Sequence, residues 1–282
     1  DQVIAMLHVN GLIGSNKVAL VDAFCRQVEH DGNVKAVLLR VSSPGGGISA
    51  CDRIYKRLID FRGHTGKKMV VSMGSVAASG GYYISVPAHA IYAEPTTITG
   101  SIGVLASVTV LAGTLEKIGV EIKVVRSSQA KAWKAAPNMM ERPADYQMAE
   151  LQKTIDKMHE RFQSIVITER GQLIKARPKT TKTYTGADGK EFSVTETYPY
   201  NGQIFLAAEA KKLGMIDKVG YVEDAIDGAA KLAGLGNPKV VLYSPRRSIL
   251  QEMGLARSSP LSLESLGQLQ IPQIMMVWKV GN

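Results

Sequence analysis

Short apolar stretches alternate with helical patterns along most of this chain, and that alternation constrains its fold more than any other feature. The pattern predicts strands at 3–9, 34–41, 68–73, 90–93, 121–126 and 239–243. It predicts helices at 16–30, 48–61, 78–88, 108–118, 143–171, 203–213 and 221–234. Strands separated by helices usually join in parallel, with the helices packed on the faces of the sheet. The sequence therefore predicts an α/β protein.

Two segments interrupt the alternation. Residues 173–199 are polar, rich in Lys and Thr, and place Ala187-Asp188-Gly189-Lys190 between extended runs, which predicts an exposed hairpin insertion. The tail after Ser244 ends in an apolar run at 274–278, which is too short to span a membrane and is expected to form a docking strand or a subunit contact. We expect one domain over 1–243, with the insertion at about 173–199, and a separate tail over 244–282.

Charge and composition narrow the classes of partner. The formal charge is +9, spread along the chain, and neither Cys/His finger spacing nor an RNA-binding aromatic signature accompanies it. We therefore expect no nucleic acid, whereas an anionic membrane surface stays open as a partner. No set of His, Cys, Asp and Glu has the spacing of metal ligands, so we expect neither a metal nor an organic cofactor.

The cysteines, the length of the apolar runs and the first residues of the sequence give three further expectations. Cys25 and Cys51 fall in predicted helices and are expected to be buried free thiols. The sequence has no run of about 18 apolar residues of the kind that a transmembrane helix requires. It starts at Asp1 without a signal peptide, so we expect a trimmed or mature form whose membrane anchor, if it has one, is not present in this chain.

The first of two glycine-rich turns is Ser42-Ser43-Pro44-Gly45-Gly46-Gly47, between a predicted buried strand and a helix. Backbone N–H groups at the start of a helix lack partners and favour an anion. Such a turn can bind phosphate or stabilise the oxyanion of an acyl transfer, but a simple tight turn explains it equally well. Its spacing matches neither a Walker A loop nor a dinucleotide fingerprint.

The second turn runs from Gly74 to Tyr83 and is built almost entirely from small residues. Small neighbours would let a substrate backbone approach Ser79, and Gly80 could present an unshielded N–H. The turn is not the Gly-x-Ser-x-Gly elbow of the α/β-hydrolases. By composition alone Ser75 and Ser79 are equal candidates for a nucleophile, and simple packing is the alternative.

Four motifs together resemble the signal peptide peptidase A family of bacterial Ser–Lys peptidases, in the order and at the spacing of that family. The likeness covers about residues 3–235. The motifs are Ser43-Pro44-Gly45-Gly46, Ala77-Ala78-Ser79-Gly80-Gly81-Tyr82-Tyr83, Thr99-Gly100-Ser101-Ile102-Gly103-Val104, and Asn201-Gly202-Gln203 through Ala210 to Gly214-Met215-Ile216-Asp217. The resemblance implies a crotonase/Clp-protease-like fold of repeated β-β-α units.

The resemblance also implies roles for particular residues. It selects Ser79 as the nucleophile, because the nucleophile of the family precedes Gly-Gly-Tyr. It implies that Gly46 and Gly80 donate to the oxyanion and that the Ser101 hydroxyl positions the base. The base of the family is a lysine some fifty residues after the nucleophile, a place that Lys131 fills here.

Lys134 is the rival base, three residues further along. Beyond the lysine the chain departs from the family pattern, since Pro137 comes late and Glu141-Arg142-Pro143 replaces the usual residues, which leaves the shape of this loop open. A lysine acts as a base only when its amine is neutral. We expect the apolar neighbours of Lys131 to surround it and to favour the neutral amine. Those neighbours are Ala130, Ala132, Trp133, Ala135 and Ala136.

The predicted function is that of a serine endopeptidase with a Ser–Lys dyad that cleaves remnant signal peptides or other membrane-associated peptides. The resemblance implies a ring-like or dome-like homo-oligomer at the bacterial cytoplasmic membrane, with the catalytic domain on its extracytoplasmic side. It leaves open a site that borrows residues from a neighbouring subunit.

Two alternatives of other classes remain. A crotonase-type acyl-CoA enzyme would have a similar oxyanion turn after Pro44, although Ser79 and Lys131 would then share no role and the usual acidic residues have no obvious match. A non-catalytic assembly subunit is the second alternative, and a capsid-maturation peptidase of phage type is a variant of the peptidase reading. The five histidines form neither a Ser-His-Asp nor a zinc motif and are expected to be structural or surface residues.

Overall fold

The computed structural model describes residues 2–244 and 273–277 of the chain. The helices are α1 (Ser15–Glu29), α2 (Ile48–Thr65), α3 (Gly80–Tyr83), α4 (Ala112–Lys117), α5 (Asp145–Arg170), α6 (Ala207–Lys212) and α7 (Val222–Ala233). The strands are β1 (Val3–Asn10), β2 (Val34–Ser43), β3 (Gly45–Gly47), β4 (Lys68–Ala78), β5 (Ala90–Ala93), β6 (Ile98–Gly100), β7 (Leu105–Ser107), β8 (Thr180–Thr185), β9 (Glu191–Glu196), β10 (Ile204–Leu206), β11 (Lys218–Val219), β12 (Lys239–Tyr243) and β13 (Gln273–Val277).

The described chain forms two compact units. The first contains residues 2–104, 159–244 and 276–277, and the second contains 105–158 and 273–275. The extent of the predicted single domain over 1–243 stays a prediction.

An eight-stranded sheet forms the centre of the first unit. Its strands follow the order β10-β6-β4-β2-β1-β12, with β5 paired to β4 and β11 paired to β5. The pairs among β12, β1, β2, β4, β5 and β6 are parallel, and only β10 joins β6 in the antiparallel direction. The succession β2-β3-α2 is a β-β-α unit. This arrangement confirms the predicted α/β class.

The long strand β4 pairs with two different strands along its length, β5 and then β6. Its first half pairs with β5, where Val70 lies opposite Ala90, and its second half pairs with β6, where Ala78 lies opposite Gly100. Because β4 continues beyond β5, its carboxyl end projects toward β6. The turn that follows β4 carries Ser79.

Side chains from the strands alternate between two apolar layers. Leu39 and Val71 belong to the larger cluster, which also contains Phe24 of α1 and Phe61 of α2. The neighbouring positions Leu38 and Val70 belong to a second cluster, which packs against Ala225 and Ala229 of α7. This alternation is what strands covered on both faces by helices require.

The predicted hairpin insertion is confirmed. Strands β8 and β9 form an antiparallel pair in which Tyr184 lies opposite Phe192, and the side chains of both strands are exposed apart from that of Glu196. The helix predicted at 78–88 shortens to α3, and the first part of the helix predicted at 203–213 is the strand β10. The two cysteines are buried and free, as expected, and burial raises the pKa of each thiol to about 12.

The second unit departs most from expectation. The strand predicted at 121–126 is wrong: these residues have no regular structure, and Ile122 and Val125 are 41% and 92% exposed. The apolar end of the tail does form a strand, because β13 pairs antiparallel with β7, with Met275 opposite Leu105. The rest of the predicted tail, 245–272 and 278–282, lies outside the described residues.

Within the part of the chain that the structure describes, no helix has both the length and the apolar character needed to cross a membrane.

Candidate active site

Ser79 occupies a constrained turn at the carboxyl end of β4. Its backbone has φ 53° and ψ −116°, and the residue is 1% exposed. Its N–H donates to Gly100 O at 2.7 Å, and its carbonyl accepts from Tyr83 N at 2.9 Å. Its hydroxyl has no hydrogen bond to any of the residues described. Non-glycine residues in sparsely populated conformations persist only where the surrounding structure over-determines them, and they cluster at active sites.

Three non-glycine residues of the described chain have positive φ: Ser79, Ser101 and Ala135. Such a conformation costs about 1–2 kcal/mol for an L-residue. The first two were selected from the sequence as nucleophile and positioning hydroxyl, and the third lies four residues after the candidate base Lys131. The three residues with positive φ are thus predicted catalytic residues or lie close to one in sequence, although that prediction made no use of backbone strain.

Ser101 is connected to Ser79 through its neighbour. It follows β6 directly, is half-buried, and donates its N–H to Gln203 O at 2.7 Å. The preceding residue, Gly100, accepts the N–H of Ser79. A Cβ on Gly100 would lie 2.6 Å from Phe205 Cδ2, so the backbone of this connection is closely packed.

Gly46 lies against the backbone of Ile13. The Ile13 N–H donates to Gly45 O and the Gly47 N–H donates to Ile13 O, each at 2.9 Å, so Ile13 bonds to both neighbours of Gly46. A Cβ on Gly46 would lie 2.1 Å from Ile13 O, a distance that no side chain tolerates. The glycine is therefore a steric requirement of this turn.

Gly80 lies next to Gly46. A Cβ on Gly80 would lie 3.1 Å from Gly46 N, 3.0 Å from Gly45 Cα and 2.5 Å from Cys51 Sγ. Among the residues described, the Gly80 N–H has no hydrogen-bond partner. The structure therefore brings together Ser79, Gly46 and Gly80, which come from two separate turns and are three of the four predicted site residues of the first unit.

Two tyrosines that follow Gly80 and Gly81 connect the turn to other segments through hydrogen bonds. The Tyr82 hydroxyl donates to Met215 O at 2.9 Å, and the Tyr83 hydroxyl donates to Asp52 Oδ1 at 2.6 Å. Burial is the main cause that raises the pKa of both phenols, so they stay neutral donors. Sequence reasoning missed Cys51 and Asp52 as supports, and only their position one turn into α2 could have suggested them.

The fourth sequence motif acts on this turn through Tyr82. Buried Arg170 donates to Asp217 Oδ1 at 3.1 Å and to Gly214 O at 3.2 Å. Asp217 Oδ2 also accepts the N–H of Ile91 at 2.7 Å. These contacts fix residues 214–217, whose Met215 carbonyl accepts the Tyr82 hydroxyl. The motif is therefore a structural support rather than a reacting group.

Lys131 belongs to the second unit and follows a short 3-10 turn, Ser128–Ala130. The predicted apolar enclosure is not found, because Lys131 is exposed in this chain and Trp133 is 53% exposed. Trp133 instead packs edge-on against Tyr146, with ring centroids 5.2 Å apart. Apolar neighbours in sequence do not cover a side chain when the turn directs them elsewhere. The rival Lys134 is exposed too.

A cleft of about 690 Å³ opens beside Lys131 in the second unit. Arg126, Glu141 and Gln147 line it together with the lysine. Ser79 belongs to the first unit and Lys131 to the second, so their pairing stays a prediction.

Two of the histidines, His89 and His159, have backbone partners. His159 Nε2 lies 3.0 Å from Ile102 O and 2.9 Å from Tyr200 O. His89 Nδ1 accepts the N–H of Met69 at 3.0 Å, and burial is the main cause that lowers its pKa. Over the ranges that the structure describes, no cluster of His, Cys, Asp and Glu could hold a metal ion.

Sequence comparison identifies a family and several relatives. The profile of Peptidase family S49 matches residues 62–195. The chain is 34% identical over 239 residues to "Putative protease slr0021" of Synechocystis sp., covering 85% of this chain and 77% of that protein. It is 32% identical over 225 residues to "Protease 4" of Salmonella typhi, covering 80% of this chain and 32% of that protein. It is 31% identical over 218 residues to "Putative signal peptide peptidase SppA" of Enterococcus faecium, covering 77% and 57%.

The chain thus spans about a third of the length of the Salmonella protein. Among solved structures, it is similar to a mutant of ClpP1 from Listeria monocytogenes, with a TM-score of 0.44, 16% identity, and coverage of 78% of this chain and 94% of that chain. It is also similar to a mutant of the 1510-N membrane-bound stomatin-specific protease, with a TM-score of 0.47, 15% identity, and coverage of 87% and 99%.

Proposed function

Because the chain belongs to peptidase family S49, we propose that it is a serine endopeptidase in which Ser79 is the nucleophile and Lys131 the general base. The observation that carries the proposal is the turn at Ser79. A buried serine with positive φ lies beside two closely packed glycines, and one of them, Gly80, has an N–H without a partner among the described residues. Such a turn suits a nucleophile that needs oxyanion donors beside it.

The proposed reaction uses groups of the chain itself. The Ser79 hydroxyl attacks the carbonyl carbon of the scissile peptide while the neutral amine of Lys131 accepts its proton. The N–H groups of Gly46 and Gly80 donate to the oxyanion that develops. Lys131 then protonates the leaving amine, and water hydrolyses the acyl-enzyme. Ser101 orients the amine through its hydroxyl.

The exposure of Lys131 adds a condition to this proposal. Only the neutral form of a lysine amine can accept a proton, and burial favours that form. The amine must therefore be covered in the active state, either by substrate or by a neighbouring copy of the chain. A homo-oligomer of ring or dome shape would meet this condition, and the dyad could then form within one chain or across two.

The substrate is proposed to be an extended peptide held by main-chain hydrogen bonds along a strand edge. Remnant signal peptides or other membrane-associated peptides are the proposed class, in accord with the relative named signal peptide peptidase. The proposed place of action is the surface of the bacterial cytoplasmic membrane, on its extracytoplasmic side. The proposed reaction requires neither a cofactor nor nucleic acid. Family membership favours this reading over an acyl-CoA enzyme or a non-catalytic subunit.

Labelling with a fluorophosphonate probe tests the proposal, because the probe reacts covalently with an activated serine. We expect the wild-type chain to be labelled and Ser79→Ala to stay unlabelled. Ser75→Ala, which removes the other serine of the same turn, is the matched control and should label normally. Absence of labelling in the wild-type chain would contradict the peptidase proposal.

The choice of base is tested with Lys131→Ala and Lys134→Ala in the same assay and in peptide hydrolysis. We expect Lys131→Ala to lose at least about 10³-fold in rate, as is typical when a general base is removed. Lys134→Ala should keep nearly all of its activity. If only Lys134→Ala loses activity, the assignment of the base is wrong.

A further inference from the structure

The turn that follows Lys131 is held at three of its backbone carbonyls by side chains from elsewhere in the second unit. Each bond joins an amide or guanidinium donor to a carbonyl of the turn. The bonds are Gln147 Nε2 to Ala132 O at 2.7 Å, Arg126 Nε to Lys134 O at 2.6 Å, and Asn138 Nδ2 to Ala135 O at 2.8 Å. Three such bonds within four consecutive residues leave this short segment little freedom.

Two of these donors converge on one carboxylate. Arg126 Nη1 donates to Glu141 Oε1 at 3.0 Å, and its Nη2 donates to Glu141 Oε2. Asn138 Nδ2 also donates to Glu141 Oε2, at 2.7 Å. Bidentate pairing of arginine with a carboxylate fixes orientation as well as distance. The Arg126 side chain is 10% exposed and lines the cleft beside Lys131.

The Glu141 carboxylate stays charged over a wide pH range. The hydrogen bonds from Arg126, and then that from Asn138, lower its pKa to about 2. Arg126 is thereby held with its Nε directed at the turn, since each of its two terminal nitrogens donates to Glu141. We call Arg126 and Glu141 the clamp.

Asn138 connects the clamp to Ala135, the third non-glycine residue of the described chain with positive φ. Ala135 has φ 55°, and its carbonyl accepts from Asn138, which is bonded to Glu141. Strain of this kind needs support from its surroundings. An exposed surface loop with no demand on its shape would relax it, so the contacts around Ala135 indicate that the shape of this turn matters.

A second ion pair in the same unit shows what an ordinary surface contact looks like. Arg142 lies 2.9 Å from Glu116, and their side chains are 70% and 64% exposed. Neither of those side chains bonds to a backbone carbonyl of the Lys131 turn, whereas the clamp bonds to it directly. Arg126, Glu141 and Arg142 all line the cleft beside Lys131, so the bond to the turn is what separates the clamp from the control pair.

We propose that Arg126 and Glu141 are positioning residues, which hold the turn so that the amine of Lys131 is presented in the geometry that proton transfer requires. This inference rests on the proposed role of Lys131 as the base. Neither residue of the clamp touches the reacting atoms. Both act through the backbone of residues 132–135. Glu141, one of the residues at which the chain departs from the family pattern, thus belongs to the clamp.

The expected effect follows from the sensitivity of proton transfer to distance. A misplacement of about 1 Å can cost a factor of about 10² in rate. Glu141→Gln keeps the shape of the side chain but removes its charge, so we expect about a 10-fold fall in kcat and in the rate of fluorophosphonate labelling, from partial release of the turn. KM should change less than about twofold, because the clamp is not proposed to contact substrate.

The test compares Glu141→Gln with the control Arg142→Gln, each made in the full chain and again in the Lys131→Ala background. A positioning residue that acts through Lys131 has nothing left to position once that lysine is gone. We expect Glu141→Gln to lower labelling about 10-fold in the wild-type background and to cause no further fall from the residual rate of Lys131→Ala. Arg142→Gln should leave the rate of labelling unchanged in both backgrounds.

Either of two results would overturn the inference. One is a Glu141→Gln variant that labels as fast as Arg142→Gln. The other is the same fold-loss in both backgrounds, which would indicate a merely structural role. If Glu141→Gln does not fold, Asn138→Ala carries the same comparison, with an expected loss of about fivefold, since it removes one of the three carbonyl contacts.

Failure of the underlying function would look different. Normal labelling of Lys131→Ala would show that this lysine is not the base, whatever the clamp variants do. Labelling that is lost in Lys131→Ala but unaffected by the clamp variants would overturn the clamp alone.

Discussion

The two turns that carry the candidate catalytic residues are built in opposite ways. The Ser79 turn is buried and closely packed: backbone atoms exclude a Cβ from Gly46, and a Cβ on Gly80 would meet the side chain of Cys51. The Lys131 turn is exposed and is held by hydrogen bonds from the side chains of other segments. Each turn nevertheless contains or adjoins a non-glycine residue with positive φ.

This difference bears on how each turn responds to change. Close-packed backbone cannot yield to an added atom without a shift of its neighbours. A hydrogen-bonded clamp loses one contact at a time, and each contact contributes only about 1 kcal/mol. Substitutions in the first turn should therefore act as all-or-none changes, whereas those in the second should act in graded steps.

Gly46→Ala should have the largest effect. Its Cβ would lie 2.1 Å from Ile13 O and 2.5 Å from Ile13 N, which are both backbone atoms. We expect a loss of about 3 kcal/mol in the free energy of unfolding, as in severe overpacking, together with a loss of labelling of at least about 10². Urea denaturation and fluorophosphonate labelling measure the two effects.

Gly63→Ala is the matched control for that substitution. Gly63 lies in α2, and no atom lies within 4 Å of its Cβ position. It should be neutral or stabilising by about 0.5–1 kcal/mol, because alanine favours a helix over glycine. Equal behaviour of the two alanine variants would contradict the close packing that we describe at Gly46.

Gly80→Ala should be severe but partly reversible. The nearest atom to its Cβ would be Cys51 Sγ at 2.5 Å, which belongs to a side chain and can be removed. We expect a destabilisation of about 1–3 kcal/mol that becomes smaller when Gly80→Ala is made in the Cys51→Ala background. Labelling should stay about 10²-fold low in both backgrounds, because the Cβ would still lie 3.1 Å from Gly46 N.

Thermal unfolding of the four chains in this cycle measures the coupling. Strict additivity of the two substitutions would show that Cys51 does not limit the space at Gly80.

Gln147→Ala should produce a smaller, graded loss in the other turn. It removes the donor to Ala132 O and should lower labelling by about threefold to fivefold while costing about 1 kcal/mol or less of stability. Gln152→Ala is the control on the same helix, since Gln152 bonds only to the exposed Asp156. A loss of about 10² or more in Gln147→Ala would place the Lys131 turn in the same all-or-none class as the Ser79 turn.

The smallest expected effect is a pH dependence of stability that comes from Glu141. The hydrogen bonds from Arg126 and Asn138 lower its pKa in the folded state to about 2, from the ordinary value of 4.5. A group with a lowered folded pKa contributes stability above its unfolded pKa and loses that contribution as pH falls toward the folded pKa. The difference in Tm between the wild-type chain and Glu141→Gln should therefore be constant above about pH 5 and should shrink toward pH 2.

Partial exposure of the Glu141 side chain, at 36%, keeps this effect small. Glu116→Gln removes an exposed carboxylate of the same unit and supplies the control. A Tm difference that grows as the pH falls would contradict the assigned direction.

Local pattern was sufficient for the elements near the nucleophile. The apolar runs and helical spacing predicted β2 and α2 closely, because buried parallel strands are apolar throughout and amphipathic helices repeat every 3.6 residues. Ser79 was placed less well, because the pattern predicts a strand that ends at residue 73 and a helix that begins at 78, whereas β4 continues to Ala78 and Ser79 follows it directly. Its selection over Ser75 came from the family motif and not from the pattern.

Local pattern failed in the second unit. Residues 121–126 resemble a strand in composition, yet a strand is stabilised by a backbone partner, and the sequence does not say whether one exists. The enclosure predicted for Lys131 failed for a related reason, since the alanines beside it are neighbours in sequence but do not cover its amine. Burial depends on what packs against a turn from elsewhere.

Side-chain size and polarity along the chain are enough to predict the alternation of strands and helices and the small residues of the two glycine-rich turns, because both are local properties. Packing in three dimensions is needed to bring Gly46 beside Gly80, the N–H of Ser79 to Gly100 O, and Arg126 to Lys134 O. These contacts join residues from different turns and strands, so they depend on strand register and packing geometry, which no local stretch of sequence contains.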